Sequence, residues 1–142
     1  MNIIWLGHSG FRIEIENAVL LIDPWLDGNP MFPVGRREQA LAGVTHIFLT
    51  HAHGDHASEA VTIAQDTGAT IAAIHELAEY LIRQGAQTVT GFGKGGTLDA
   101  NGAKVTMVNA THSASIDFAG GNAIPGGSAA GFMIAGEGQV IY

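Results

Sequence analysis

Three features of this 142-residue sequence predict an α/β fold with its chemistry at the carboxyl ends of strands. The first 22 residues read as short apolar strands, the stretch 46–84 alternates strand and helix, and a dense group of histidines follows directly on an apolar strand. Alternation of that kind is the signature of layered α/β domains.

At the amino terminus, strands are expected over Asn2–Leu6, Phe11–Glu16 and Ala18–Ile22. Phe11, Ile13 and Ile15 alternate, and Glu16-Asn17 joins the second and third strands as a hairpin. A loop rich in Pro, Gly and Asn runs from Pro24 to about Arg37 and could wall a site. The strand His46–Leu49 follows. Helical spacing over Ala57–Asp66 stops at Gly68, Thr70–Ile74 reads as a strand, and His75–Gln84 reads as a helix closed by Gly85. Gly95–Asn109 predicts a hairpin turning at Asp99-Ala100-Asn101-Gly102, with Val105 and Met107 on one face. A flexible Gly- and Ser-rich loop, Ala110–Gly127, leads to strands over Ser128–Ile134 and Gln139–Tyr142.

A chain of this length fits one domain and can bury roughly 68–70% of its unfolded surface. Hydrophobic residues are 46% and charged residues 13%, which excludes a disordered segment. The net charge is −7 and the six Lys and Arg are scattered, so no basic face exists for nucleic acid or an anionic membrane. A small-molecule substrate, even an anionic one, is compatible with that balance, because a bound metal dominates the field at short range. There are no cysteines, so any metal must be held by His and carboxylate. No secretory leader is legible and no apolar run reaches the ~18 residues of a membrane span, which gives a cytoplasmic expectation.

The segment Thr50-His51-Ala52-His53-Gly54-Asp55-His56 places four ligand-type side chains between an apolar strand and a helix. His51 and His53 are two apart, so in an extended segment both rings face one side and can share an ion. Asp55 and His56 fall at the turn into the helix and reach a second position nearby, with Gly54 freeing the backbone to turn sharply. Two imidazoles rarely close a zinc site, and His112, at the end of another predicted strand, is the best third ligand. His46, His75, Trp5 and Trp25 are assigned structural places, the tryptophans as core and loop anchors. Neither a G-x-S-x-G elbow nor a phosphate-binding P-loop is present.

These residues resemble the metallo-β-lactamase superfamily, whose H-x-H-x-D-H pattern is matched in full by His51 through His56. Trp5-Leu6-Gly7-His8-Ser9, Leu21-Ile22-Asp23-Pro24 and Thr111-His112-Ser113 extend the likeness over nearly the whole chain, and Gly7-His8-Ser9-Gly10-Phe11 resembles a branch of small hydrolases that includes sugar-lactone hydrolases. The resemblance implies an αββα sandwich with a dinuclear zinc centre in the cleft between its sheets. It implies that His51, His53 and His112 hold one ion, that Asp55 and His56 hold part of a second, and that Asp23 supports the metal loop by hydrogen bonding. His8 would line the cleft as an outer residue.

The family pattern also has a bridging Asp and a last His that this sequence does not contain. The expectation is an amino-terminal piece of a domain of roughly 200–250 residues, with the carboxyl-terminal part of the sandwich missing. On that reading one ion binds better than two, and an uncovered sheet face favours self-association into a homo-oligomer. The expected chemistry is hydrolysis of an ester-like, lactone or phosphodiester bond, with zinc (or Mn2+ or Fe) lowering the pKa of a bound water toward ~7 and Asp55 orienting the nucleophile. The alternatives are an iron-dependent oxidoreductase or dioxygenase on the same ligand set, and a non-catalytic metal-binding module.

Overall fold

The computed structural model describes residues 1–142 as two β-sheets packed face to face, with helices on the outside of one. The larger sheet has six strands in sequential order: β1 (Asn2–Trp5), β2 (Phe11–Ile15), β3 (Ala18–Ile22), β4 (His46–Phe48), β5 (Thr70–Ile74) and β6 (Val89–Phe92). The first three are antiparallel and the last four parallel. That change of direction follows from the connections: a tight turn with Glu16 in the left-handed region (φ 53°) joins β2 to β3, whereas helices lie between the parallel strands.

The helices are α1 (Arg37–Leu41), α2 (Gly54–Ala57), α3 (Ala60–Thr67) and α4 (His75–Arg83). The expected helix over 57–66 is two pieces, α2 and α3, broken around Ser58 and Glu59. Gly68 caps α3 in the left-handed conformation (φ 75°), as its position predicts. In α4, Leu77, Ala78 and Leu81 are buried while Glu76 faces solvent. The short α1 was not legible in the sequence; Arg12 fixes its end by donating to the carbonyls of Ala40 (3.0 Å) and Ala42 (2.8 Å). β6 likewise goes beyond the sequence reading.

The second sheet is antiparallel, in the order β12 (Gln139–Ile141), β11 (Ala130–Gly136), β8 (Ala103–Asn109), β7 (Thr97–Ala100). The β7–β8 turn falls where expected, with Asn101 (φ 52°) and Gly102 (φ 100°) left-handed and the Asp99 carboxylate accepting the Gly102 N–H at 2.7 Å. Within the 110–127 loop, Ser115–Ile116 (β9) and Ile124–Pro125 (β10) form a small two-stranded pairing.

Strand alternation divides the core in two. Leu21, Ile47, Leu49, Ile71 and Ala73 face α3 and α4, in a cluster of 19 buried residues. Ile13, Leu20, Phe48 and Ala72 face the other way and meet Val105, Met107, Phe132 and Ile134 of the second sheet, in a cluster of 13. The layers are thus helix, sheet, sheet, three of the four that an αββα sandwich has. Residues such as Thr106, Met133 and Val140 lie on the outer face of the second sheet without a helix over them. No helix is long and apolar enough to cross a membrane.

Three chain segments leave their strands at the same edge of this sandwich: Asp23 after β3, Thr50–His56 after β4, and Ala110–His112 after β8. The two sheets are stitched together there, since the N–H of Ala130 donates to the carbonyl of Thr50 at 2.8 Å. Phe48, fully buried and edge-on to Phe132 at 5.3 Å, sits at the heart of the sheet interface. Phe48→Ala is expected to lower the urea-unfolding free energy by about 3–5 kcal/mol. Ile3→Ala, at a position 48% exposed, should cost under about 1 kcal/mol.

Candidate metal centre

Residues 50–53 continue β4 as irregular, extended chain, with His53 at φ −70° and ψ 150°. Strict alternation from β4 would put His51 on the helix side with Ile47 and Leu49; the irregular stretch shifts the phase, so that Ala52 joins the helix-side core and His51 lines the sheet cleft with His53 beside it. His51 Nε2 lies 3.0 Å from His53 Nδ1, and the His112 ring stands 4.8 Å from that of His51 and 5.2 Å from that of His53. One nitrogen from each of the three lies within 4.8 Å of the others.

A buried hydrogen-bond chain sets the ring states. Asp23 is 3% exposed and held at φ 45°; its Oδ1 accepts the Thr50 N–H at 2.8 Å, and its Oδ2 accepts the Thr50 hydroxyl at 2.5 Å. With that hydroxyl's proton given to a carboxylate, its oxygen is an acceptor for His51 Nδ1 at 2.9 Å, which leaves Nε2 as the lone pair facing the cleft. Asp23 Oδ2 also accepts from His56 Nδ1 at 2.9 Å, so His56 too presents Nε2 outward. One carboxylate thereby orients two imidazoles on either side of it.

Burial, reinforced by the neighbouring His56, pushes the His51 imidazole down to about 4, so it is neutral and ready to ligate at neutral pH. For His56 burial acts in the same direction, but the hydrogen bond and charge of Asp23, with Asp55 and Asp117, outweigh it and raise the group above its ordinary value. Protons therefore compete with a metal for His56 more than they do for His51.

The structure brings every sequence-predicted site residue to this edge. His51, His53 and His112 form one group; His8, Asp55 and His56 form a second; Asp23, His51 and His56 converge between them. His46 stacks on Phe48 at 6.1 Å between rings and His75 is exposed, both away from the group. Trp5 is not the core anchor expected: it is 52% exposed, and its indole N–H donates to the His8 carbonyl at 2.9 Å. The reason for Gly54 also differs. It is the first residue of α2, without a left-handed backbone; a Cβ there would stand 3.3 Å from Asp117 Oδ1 and from Phe118 Cβ, so close approach of the 110–127 loop is what a side chain would disturb.

Two supports went unread in the sequence. Asp117 Oδ1 accepts the Gly54 N–H at 2.7 Å and holds the loop over the start of α2. Glu59 accepts the N–H groups of Leu26 and Asp27 and pairs with Arg37 at 2.6 Å, which pins the 24–36 loop. Both act across long sequence separations, and only Asp or Glu in a helix or loop, a common occurrence, marks them beforehand. Beyond the histidines the cleft between the sheets has a volume of about 650 Å3 and is lined by Phe11, Ile13, Ile22, Phe132 and Ile134.

A histidine trio at strand ends, backed by a buried carboxylate and opening on a cleft between two sheets, defines an α/β protein built around a metal-binding edge. A profile of the β-lactamase superfamily domain matches residues 19–142, and the chain belongs to that superfamily. A UPF0173 metal-dependent hydrolase of Cereibacter sphaeroides is 58% identical over 142 residues, covering 100% of this chain and 61% of the relative. A UPF0173 metal-dependent hydrolase of Paracoccus denitrificans is 55% identical over 145 residues with the same coverage. The chain thus spans 61% of the length of these relatives. Among solved structures, the metallo hydrolase Igni18 of Ignicoccus hospitalis superposes with a TM-score of 0.79 at 26% identity, over 98% of this chain and 57% of that one. The diiron β-hydroxylase CmlA of Streptomyces venezuelae superposes with a TM-score of 0.73 at 19% identity, over 97% and 28%, and shares the fold.

The folded pKa of His51 lies below its ordinary 6.5, so between about 6.5 and about 4 the unfolded chain takes up a proton that the fold refuses. Stability from this group is complete above 6.5 and lost as pH falls through that window. His56 has the opposite sign, contributing below 6.5 and losing that contribution as pH rises through its elevated value. Urea unfolding of the metal-free protein across pH 4–6.5 should therefore show a shallower pH dependence for His51→Gln than for the wild type.

Proposed function

We propose that His51, His53 and His112 hold a transition-metal ion, zinc by preference, and that the whole protein uses this edge for metal-dependent hydrolysis of a small ester-like, lactone or phosphodiester substrate. The observation that carries the reading is the approach of His51 Nε2 and His53 Nδ1 to 3.0 Å, with the His112 ring beside them at the cleft mouth. Two nitrogens on one tetrahedral zinc, with bonds of about 2.0–2.1 Å, stand roughly 3.3 Å apart, so the arrangement fits such an ion with little adjustment. An all-nitrogen set of neutral imidazoles suits zinc and also admits iron or manganese. The names of the relatives from Cereibacter and Paracoccus support the hydrolase class.

When bound, the ion would supply Lewis acidity and an acidified water. The chain's own contribution is orientation and shelter. Thr50 and Asp23 fix His51 as the Nδ1–H tautomer. Asp55, its side chain 43% exposed beside His8, would accept a hydrogen bond from an attacking water and take its proton. The apolar walls Phe11, Ile22 and Phe132 exclude bulk solvent and would receive the non-reacting part of the substrate. The net charge of −7, with the six Lys and Arg scattered, favours a small molecule over nucleic acid or an anionic membrane as the partner.

Metal content per purified chain, by plasma mass spectrometry, tests the site: zinc is expected in the wild type and absent from His51→Ala/His53→Ala. Turnover is tested on the full-length Cereibacter relative with p-nitrophenyl esters, simple lactones and bis-p-nitrophenyl phosphate. Replacing the residue equivalent to His112 with Ala should lower kcat/KM by about 1,000-fold, as loss of a Lewis acid's several kcal/mol requires. Iron in place of zinc, with no hydrolysis of any of the three, would move the reading to oxygen chemistry.

A further inference from the structure

The second metal position, as the sequence presents it, has only Asp55 and His56. The structure adds a third donor from outside the H-x-H-x-D-H segment. His8 Nε2 stands 3.3 Å from Asp55 Oδ2, and the same carboxylate oxygen is 3.9 Å from His56 Nε2. All three ligand atoms lie within 4.8 Å of one another. His56 has already committed Nδ1 to Asp23, so its Nε2 is the lone pair left to ligate.

His8 is held in this place by its backbone. Gly7 (φ 86°) and His8 (φ 51°) are both left-handed, in a turn closed by the Leu6 N–H on the Gly10 carbonyl at 2.8 Å and the Gly10 N–H on the Gly7 carbonyl at 3.0 Å. A Cβ on Gly7 would lie 2.8 Å from the backbone of Met31, so only glycine lets the turn pack this closely on the 24–36 loop. The Trp5 indole N–H grips the His8 carbonyl, and the His8 ring sits edge-on to Trp25 at 5.3 Å and to His56 at 5.4 Å.

We propose that His8 is a direct ligand of the second divalent ion, held as His8 Nε2, Asp55 Oδ2 and His56 Nε2, so that this chain alone supplies three donors to that position. The donor set of two imidazoles and a carboxylate selects zinc, manganese or iron over calcium or magnesium. The inference rests on the metal-binding part of the proposed function and not on its hydrolytic part.

The test is titration of the metal-free chain with Zn2+ by calorimetry and with Co2+ by visible absorption. His8→Gly is the variant, because glycine accepts the left-handed backbone while removing the imidazole. The wild type should take up two equivalents. In His8→Gly the first equivalent should bind as before, and the second should weaken by more than about 100-fold, beyond the 10–100-fold expected if His8 only oriented Asp55 from outside. Added imidazole should restore the second equivalent and its Co2+ absorption. Two equivalents of unchanged affinity in His8→Gly, a loss of only 10–100-fold, or a single equivalent in the wild type would overturn the assignment. Failure of the three-histidine site is read separately, as loss of the first equivalent, and failure of the hydrolase reading leaves these stoichiometries untouched.

Discussion

The buried carboxylate of Asp23 is the interaction on which the geometry of this edge depends. It accepts three hydrogen bonds, from the Thr50 amide, the Thr50 hydroxyl and His56 Nδ1, while its own amide donates to the Phe48 carbonyl. A carboxylate 3% exposed is tolerated only with such saturation. The consequence is directional. Through Thr50 it fixes His51, and directly it fixes His56, so the two proposed ions would share one anchor. The left-handed φ of 45° at Asp23 is the strain that lets a strand end turn its side chain back under the loop of the next strand.

That anchor works because the flanking strands are rigid. Leu20, Leu21, Ile47, Phe48 and Leu49 are fully buried, on alternating sides of the six-stranded sheet. Displacement of either β3 or β4 would have to disturb both cores. His112 and Asp117 come from a loop that is irregular apart from its internal β9–β10 pairing, and it is tied to the rest of the fold by the Gly54 amide on Asp117, by Ile116 buried in the helix-side core and by Phe118 against Tyr80. The three-histidine group thus combines two side chains on the extension of β4 with one on the 110–127 loop.

Much of this was legible in the sequence. Period-2 alternation placed β2 and β8, the Glu16-Asn17 turn made β3 the hairpin partner of β2, Gly68 and Gly85 stopped their helices, and the hairpin at Asn101-Gly102 followed from turn chemistry. The ligand group was legible because its members crowd into six residues behind an apolar strand. What escaped was whatever depends on distant partners. The five-residue α1 has too few turns for a periodicity, and β6 gains its partner, β5, only through the parallel register Ile71↔Val89. Asp117 and Glu59 are ordinary acidic residues until the fold brings backbone amides to them. His8 was read as an outer residue because its nearness to Asp55 comes from a left-handed turn that sequence spacing does not encode.

The account is tested most directly by long-range 1H–15N correlation spectra of the histidine rings in the metal-free protein, for the wild type and for Asp23→Asn. If Asp23 orients the site, His51 and His56 should each show the Nδ1–H form as the neutral tautomer, and in Asp23→Asn both should shift toward a tautomeric mixture while His46 and His75 keep their signals. Unchanged tautomers in Asp23→Asn, or an Nε2–H His51 in the wild type, would contradict it.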